Sequence, residues 1–165
     1  MKTNAALASN IEVIEAAVSS YDGRAQFFLS SGTATGSLEM QEGPQVDVPV
    51  MKIDSFIAAH SAVDVGLVKI DIEGHDFEAL MGMQGTIEKY QPLILTECRF
   101  SPELAAFCAQ HAYKVFGSIR DPQTLNMQFL EFISDDFEKE WHKMLFLAPL
   151  RLHSKFNEIC NLHRF

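Results

Sequence analysis

From residue 67 to residue 97 the chain reads LVKIDIEGHDFEALMGMQGTIEKYQPLILTE, and its apolar positions change period along the way. Val68, Ile70 and Ile72 alternate with Leu67, Lys69 and Asp71, which predicts a strand over 67–72. Gly74 stands where a chain turning from strand to helix commonly needs a residue without a Cβ. Phe77, Leu80 and Met81 then fall at helical spacing, with Asp76 and Glu78 suited to the positive N-terminal end. Gly82 weakens or breaks that helix, and a second short piece runs to Tyr90. Pro92 opens LILTE, a strand whose last residue is Glu97. Strand, helix and strand make a βαβ unit with parallel strands.

The flanks carry weaker patterns. Residues 2–9 read as the end of a helix and 11–18 as a strand. Asp22-Gly23 between two apolar runs predicts a hairpin, with 25–29 as the return strand. A loop rich in Ser, Gly and Thr covers 30–43, and 45–50 alternates as a short strand. Asp54 is placed to cap a short helix reaching His60. Downstream, Ser101-Pro102 is a helix start, with Leu104, Phe107, Cys108 and His111 as its stripe. Strands are predicted over 113–119 and 127–133, and Ser134-Asp135-Asp136 caps a charged helix ending near Met144. Residues 145–150 are apolar and fit either state. The tail predicts a helix with Leu152, Phe156, Ile159 and Cys160 near one face. Strand and helix alternate throughout, so the class is α/β with a mostly parallel sheet and an antiparallel terminal strand pair.

The 165 residues are enough for one domain with a real core. A net charge of −9 argues against nucleic acid and against an anionic membrane surface as partners. No apolar run approaches a membrane span, and the first residues do not form a signal peptide. Three widely spaced cysteines, Cys98, Cys108 and Cys160, suggest neither a disulfide framework nor a zinc site. The default compartment is the cytoplasm.

Ligands bind open α/β sheets at the carboxyl ends of the strands. Asp71, Glu73, His75 and Glu97 all fall there, and Lys69 lies just inside. Period two puts Lys69, Asp71 and Glu73 on one face, where a central parallel strand is normally apolar. The carboxylates could act as bases or hold a metal, Lys69 could neutralise an oxyanion, and His75 could be a base near neutral pH. Structural readings stand beside these. Lys69 and Asp71 could be an ion pair only, and Glu73 and Asp76 could only complement a helix terminus. His75 alone reads as a solvent-exposed helix residue, and His111 as a half-buried packing residue. A metal-dependent hydrolase built on Asp71, Glu73, His75 and Glu97 is the least supported of the readings, and no metal ligands are assigned.

The stretch VKIDIEGHDFEALMGMQGTIEKYQPLILTE resembles the signature of the FkbM family of S-adenosylmethionine-dependent methyltransferases. Lys69, Asp71, Glu73, Gly74, Glu78, Leu80, Gly82, Pro92 and Glu97 match it. Upstream, IEVIEAAVSSYDGRAQF resembles the family's strand followed by an Asp-Gly hairpin, and Ile53-Asp54 the start of its Leu-Asp helix. The resemblance covers roughly residues 4–100. It implies a Rossmann-like, class I methyltransferase fold and methyl transfer from S-adenosylmethionine to a hydroxyl of a small molecule or sugar. Lys69, Asp71, Glu73, Glu97 and His75 become its candidate catalytic residues, and Ala17 and Asp71 its candidate cofactor contacts. The family also carries a strand ending in Asp-x-Gly-Ala or similar, and a second strand ending in an acidic residue for the ribose. Neither is found in these residues, so the expected fold is an incomplete one, a single partial domain over 1–165. The alternative is a non-catalytic remnant acting as a binding or assembly module. The two strands would lie between the 11–18 strand and the 67–72 strand, so the latter is expected to have an open edge and to allow a homodimer through it.

Overall fold

The computed structural model describes residues 8–29, 36–38, 43–60, 64–120, 126–133 and 144–162. The expected helices near residues 2–9 and 134–144 fall largely or wholly outside the described residues.

The described strands form two sheets. The first contains β1 (Ala17–Val18), β2 (Gly23–Leu29), β3 (Gly36–Ser37) and β4 (Gln45–Met51), in the order β1-β4-β2-β3. The predicted hairpin between 11–18 and 25–29 is not what forms. Only the last two residues of the first run are strand, and both β1 and β2 pair with β4 instead. Val50 is flanked by Ala17 on one side, in parallel, and by Gly23 on the other, antiparallel. The backbone of β4 pairs on both of its edges, and Val50 is buried. Asp22 does not close a hairpin. Its carboxylate accepts from the Lys52 N–H (2.9 Å) and the Ser55 hydroxyl (2.7 Å), tying β2 to α1 (Ile53–Ala59). The Ser55 hydroxyl, and then the Lys52 amide, hold the Asp22 carboxyl below the usual carboxylate range.

The second sheet holds the core. Its strands are β5 (Leu67–Ile70), β6 (Leu93–Thr96), β7 (Tyr113–Arg120), β8 (Met127–Phe132) and β9 (Leu145–Pro149), in the order β5-β6-β9-β7-β8. β5 and β6 are parallel, with Val68 beside Ile94 and Ile70 beside Thr96. β6 and β7 are both antiparallel to β9, so β5, β6 and β7 share one direction. The expected antiparallel terminal pair is there as β7 and β8, but the sheet is not mostly parallel: among its described strands only β5 and β6 pair in parallel, because β9 inserts antiparallel between β6 and β7. Residues 145–149 are apolar and largely buried on both faces, which suits a central strand.

One face of this sheet is covered by α2 (Asp76–Met81), α3 (Gln84–Tyr90) and α4 (Pro102–Gln110), with Leu80, Met83, Ile87, Ile94, Leu104 and Leu147 fully buried between them. Ser101 caps α4 as expected, its hydroxyl accepting from the Leu104 N–H. On the other face α5 (His153–Leu162) sets Phe156 and Cys160 against Phe116 and Ala148; Ile159 stays partly exposed. No helix among the described residues is long and apolar enough to cross a membrane.

The two sheets meet at the break between α2 and α3. The Asp54 N–H donates to the Gly82 carbonyl at 3.0 Å. The Asp54 carboxylate accepts from Gly85 N–H (2.9 Å), Thr86 N–H (2.7 Å) and Thr86 hydroxyl (2.7 Å). Asp54 was expected to cap its own helix. Instead Lys52 occupies that N-cap position without a side-chain bond, and Asp54 satisfies the orphan amides at the start of α3.

Candidate active site

The loop from β5 to α2 carries the candidate residues. β5 ends at Ile70, so the alternation that put Lys69, Asp71 and Glu73 on one face stops before Glu73. Lys69 and Asp71 do meet: Nζ lies 2.6 Å from Oδ2, with the two side chains 52% and 40% exposed. Asp71, and more weakly Glu97, hold the ammonium above its usual lysine range. A pair this exposed contributes little to stability. Ion pairing for its own sake is thus a weak reason for charges at this position.

Two successive residues then adopt left-handed backbone, Glu73 at φ 54° and Gly74 at φ 94°. Gly74 meets the expectation of a turn without a Cβ. Glu73 does not need to be a glutamate for the turn; a non-glycine there costs about 1–2 kcal/mol. Such outliers cluster at functional sites.

His75 is at the helix N-cap and buried, not the exposed helix residue expected. Its Nε2 lies 2.9 Å from the Ser19 hydroxyl, just past β1, and the Ser20 hydroxyl donates to Glu78. The segment just past the carboxyl end of β1 at Val18 is therefore brought beside the start of α2, while Ala17 opens that strand two residues before the Ser19 contact with His75. His111 is also more buried than expected, its ring tilted against Phe107 with centroids 4.7 Å apart.

Asp76 is the residue that sequence reasoning undervalued. It is 3% exposed, and its Oδ1 accepts from the Thr96 hydroxyl (3.0 Å) and the Glu97 N–H (3.3 Å). The Thr96 hydroxyl in turn accepts from Cys98 N–H. This chain of bonds fixes the carboxyl end of β6 against the start of α2 and so sets where Glu97 sits. The signal was available: an acidic residue in a first helical turn, next to a strand end it can bridge. Asp76→Ala strands the buried Thr96 hydroxyl and an amide. It should cost about 2–3 kcal/mol in urea unfolding, with Asp76→Asn recovering most of the loss through its carbonyl oxygen. A cost below about 0.5 kcal/mol for the alanine would show that water replaces the carboxylate freely.

A cleft of about 410 Å³ opens on this side, lined by Gly74, Asp76, Phe77, Glu97, Arg99 and Glu103 among others. Cys98 also lines it, but burial, with Asp76 nearby, pushes its thiol up to about 11, so it is no thiolate nucleophile at neutral pH. Among the described residues no three His, Cys, Asp or Glu side chains converge as metal ligands. The structure therefore brings Lys69 and Asp71 together, sets Glu97 near Lys69, and turns His75 towards Ser19.

These features define an α/β domain whose charged side chains collect at the carboxyl ends of a parallel strand pair beside an open cleft. A family model described as the methyltransferase FkbM domain matches residues 1–143, and the chain belongs to that family. The match runs well past the stretch that carries the sequence resemblance. No curated protein and no solved structure matches the chain.

Proposed function

We propose that the chain carries the acceptor-activating part of an S-adenosylmethionine-dependent O-methyltransferase that acts on a hydroxyl of a small molecule or sugar. The observation that supports this most is the charged group at the end of β5. Lys69 and Asp71 form an exposed pair that adds little stability, followed at once by a glutamate in left-handed backbone. In this reading Asp71, Glu73 or Glu97 takes the acceptor's proton, and Lys69 neutralises the developing oxyanion. Asp76 positions Glu97, and Ser19 orients His75. The cleft has the volume of a small-molecule site; Glu97 and Asp76 line it, and Lys69, Asp71, Glu73 and His75 are not among its lining residues.

S-adenosylmethionine would supply the methyl group. The described residues do not by themselves fit that whole molecule. Ala17 and Asp71 offer strand ends, but after the four parallel-paired strands β1, β4, β5 and β6 the only glycine met before the next element is Gly74, apart from Gly23, which begins β2. Among the described residues no glycine loop is thus placed to admit the methionine end. Calorimetry on this chain should therefore show weak binding or none. Micromolar binding would mean that the residues here form a complete cofactor site. The same deficit is the observation that favours the second reading, a binding or assembly module retaining the fold without catalysis.

A further inference from the structure

The cleft beside α2 holds a buried charge whose hydrogen bonds are only half made. Asp76 is 3% exposed, and both of its bonds, from the Thr96 hydroxyl and the Glu97 N–H, end on Oδ1. Among the described residues Oδ2 accepts none. Nor is Oδ2 sealed off: among the described residues the sealed side-chain polar atom without a partner is His111 Nε2, past the end of α4. Asp76 lines the cleft, so Oδ2 is the oxygen left open to it. An unpaired charge this buried is unfavourable, and Oδ2 calls for a donor from outside the chain.

The surrounding charges select that donor. Asp76, Glu97 and Glu103 line the cleft, and Arg99 is the one cation among its lining residues. Lys69, near Glu97, is already matched by Asp71. The Ser101 hydroxyl holds the Glu103 carboxyl below its usual range, which keeps it an anion. Phe77, edge-on to Phe107, adds an aromatic wall on which a cation is welcome. Such a field attracts a cation and repels a phosphate or a carboxylate. We infer that the cleft holds its acceptor by an ammonium group on Asp76 Oδ2, so that the acceptor is an amino alcohol or amino sugar. The inference rests on the cleft being the acceptor site of the reading above. An ammonium makes a charge-assisted bond to the carboxylate, stronger than the bond a neutral hydroxyl would make. Glu97 is tied to Asp76 through its amide, and it is the proposed proton acceptor that lines the cleft. The hydroxyl next to the ammonium is therefore offered to Glu97.

Titrations of the full chain followed by amide chemical shifts test it, with glucosamine, glucose and glucose 6-phosphate as probes in slightly acidic buffer. Glucosamine should shift the amides of Gly74, Phe77, Cys98 and Arg99 and bind roughly tenfold or more tightly than glucose, which has the same ring without the charge. Glucose 6-phosphate should not bind. Asp76→Asn keeps a carbonyl oxygen for Thr96 and Glu97 but removes the anion from the cleft. It should melt within about 3 °C of the wild type and bind glucosamine no better than glucose. Equal binding of glucosamine and glucose by the wild type would overturn the inference, and that comparison does not need the variant to fold. So would a preference for glucosamine that survives in Asp76→Asn, or no saturable shift up to about 50 mM glucosamine. These measurements read binding alone. Their failure is thus distinct from a failure of methyl transfer, which the Asp71 and Glu73 variants test.

Discussion

Gly82→Ala should destabilise the protein by at least about 3 kcal/mol, lowering the melting temperature by roughly 6–12 °C. Nothing in the local backbone forbids alanine: Gly82 sits at φ −79° and ψ 0°. At such a position the substitution would ordinarily stabilise by about 0.4–1 kcal/mol through the unfolded chain. The sign is reversed by packing. A Cβ on Gly82 would lie 2.1 Å from the Ser19 carbonyl oxygen and 3.0 Å from its carbon. Those are backbone atoms, held in place because the Ser19 N–H donates to Met51 and its hydroxyl meets His75. The segment after β1 would have to move away from α2, and the small sheet would lose its seat on the core. A melting temperature unchanged or raised would show that this contact yields easily and that the two sheets are only loosely joined.

Gly82 also shows where sequence reading stops. The helix break there was legible, and so was the second helical piece beyond it. The reason for a glycine was not, because it depends on a carbonyl sixty-three positions earlier in the chain. Asp54 tells the same story: an acid near a helix start was visible, but the helix it caps is the next one along. Hairpin logic failed at Asp22-Gly23 because β4, twenty-odd residues on, offered both flanking strands a better partner. By contrast the βαβ unit, the cap at Ser101, the strands expected at 113–119 and 127–133, and the burial of Phe156 and Cys160 on the last helix were legible locally, while Ile159, expected on that face, is exposed. Where apolar positions face a single sheet, period alone fixes most of what is buried. Within the site, the placement of Lys69, Asp71 and Glu97 near one another at the strand ends was legible. The burial of His75 and the bridging role of Asp76 were not, since both rest on partners from β1 and β6.

The central claim is that the charges at the end of β5 are kept for chemistry and not for stability. Asp71→Asn and Glu73→Gln, made in a form of the enzyme that transfers methyl groups, put that claim to the test. Both residues are exposed, and Lys69 remains half in solvent whichever partner it has. Each variant should keep the wild-type melting temperature within a degree or two while methyl transfer falls by about 10²–10⁴-fold, the span of a lost general base. The decisive measurement is the methyl-transfer rate per folded molecule of Asp71→Asn, taken beside its thermal melt. The account predicts loss of transfer at an unchanged melting temperature. Transfer preserved per folded molecule, together with a large fall in melting temperature, would contradict it and make Lys69 and Asp71 a structural pair.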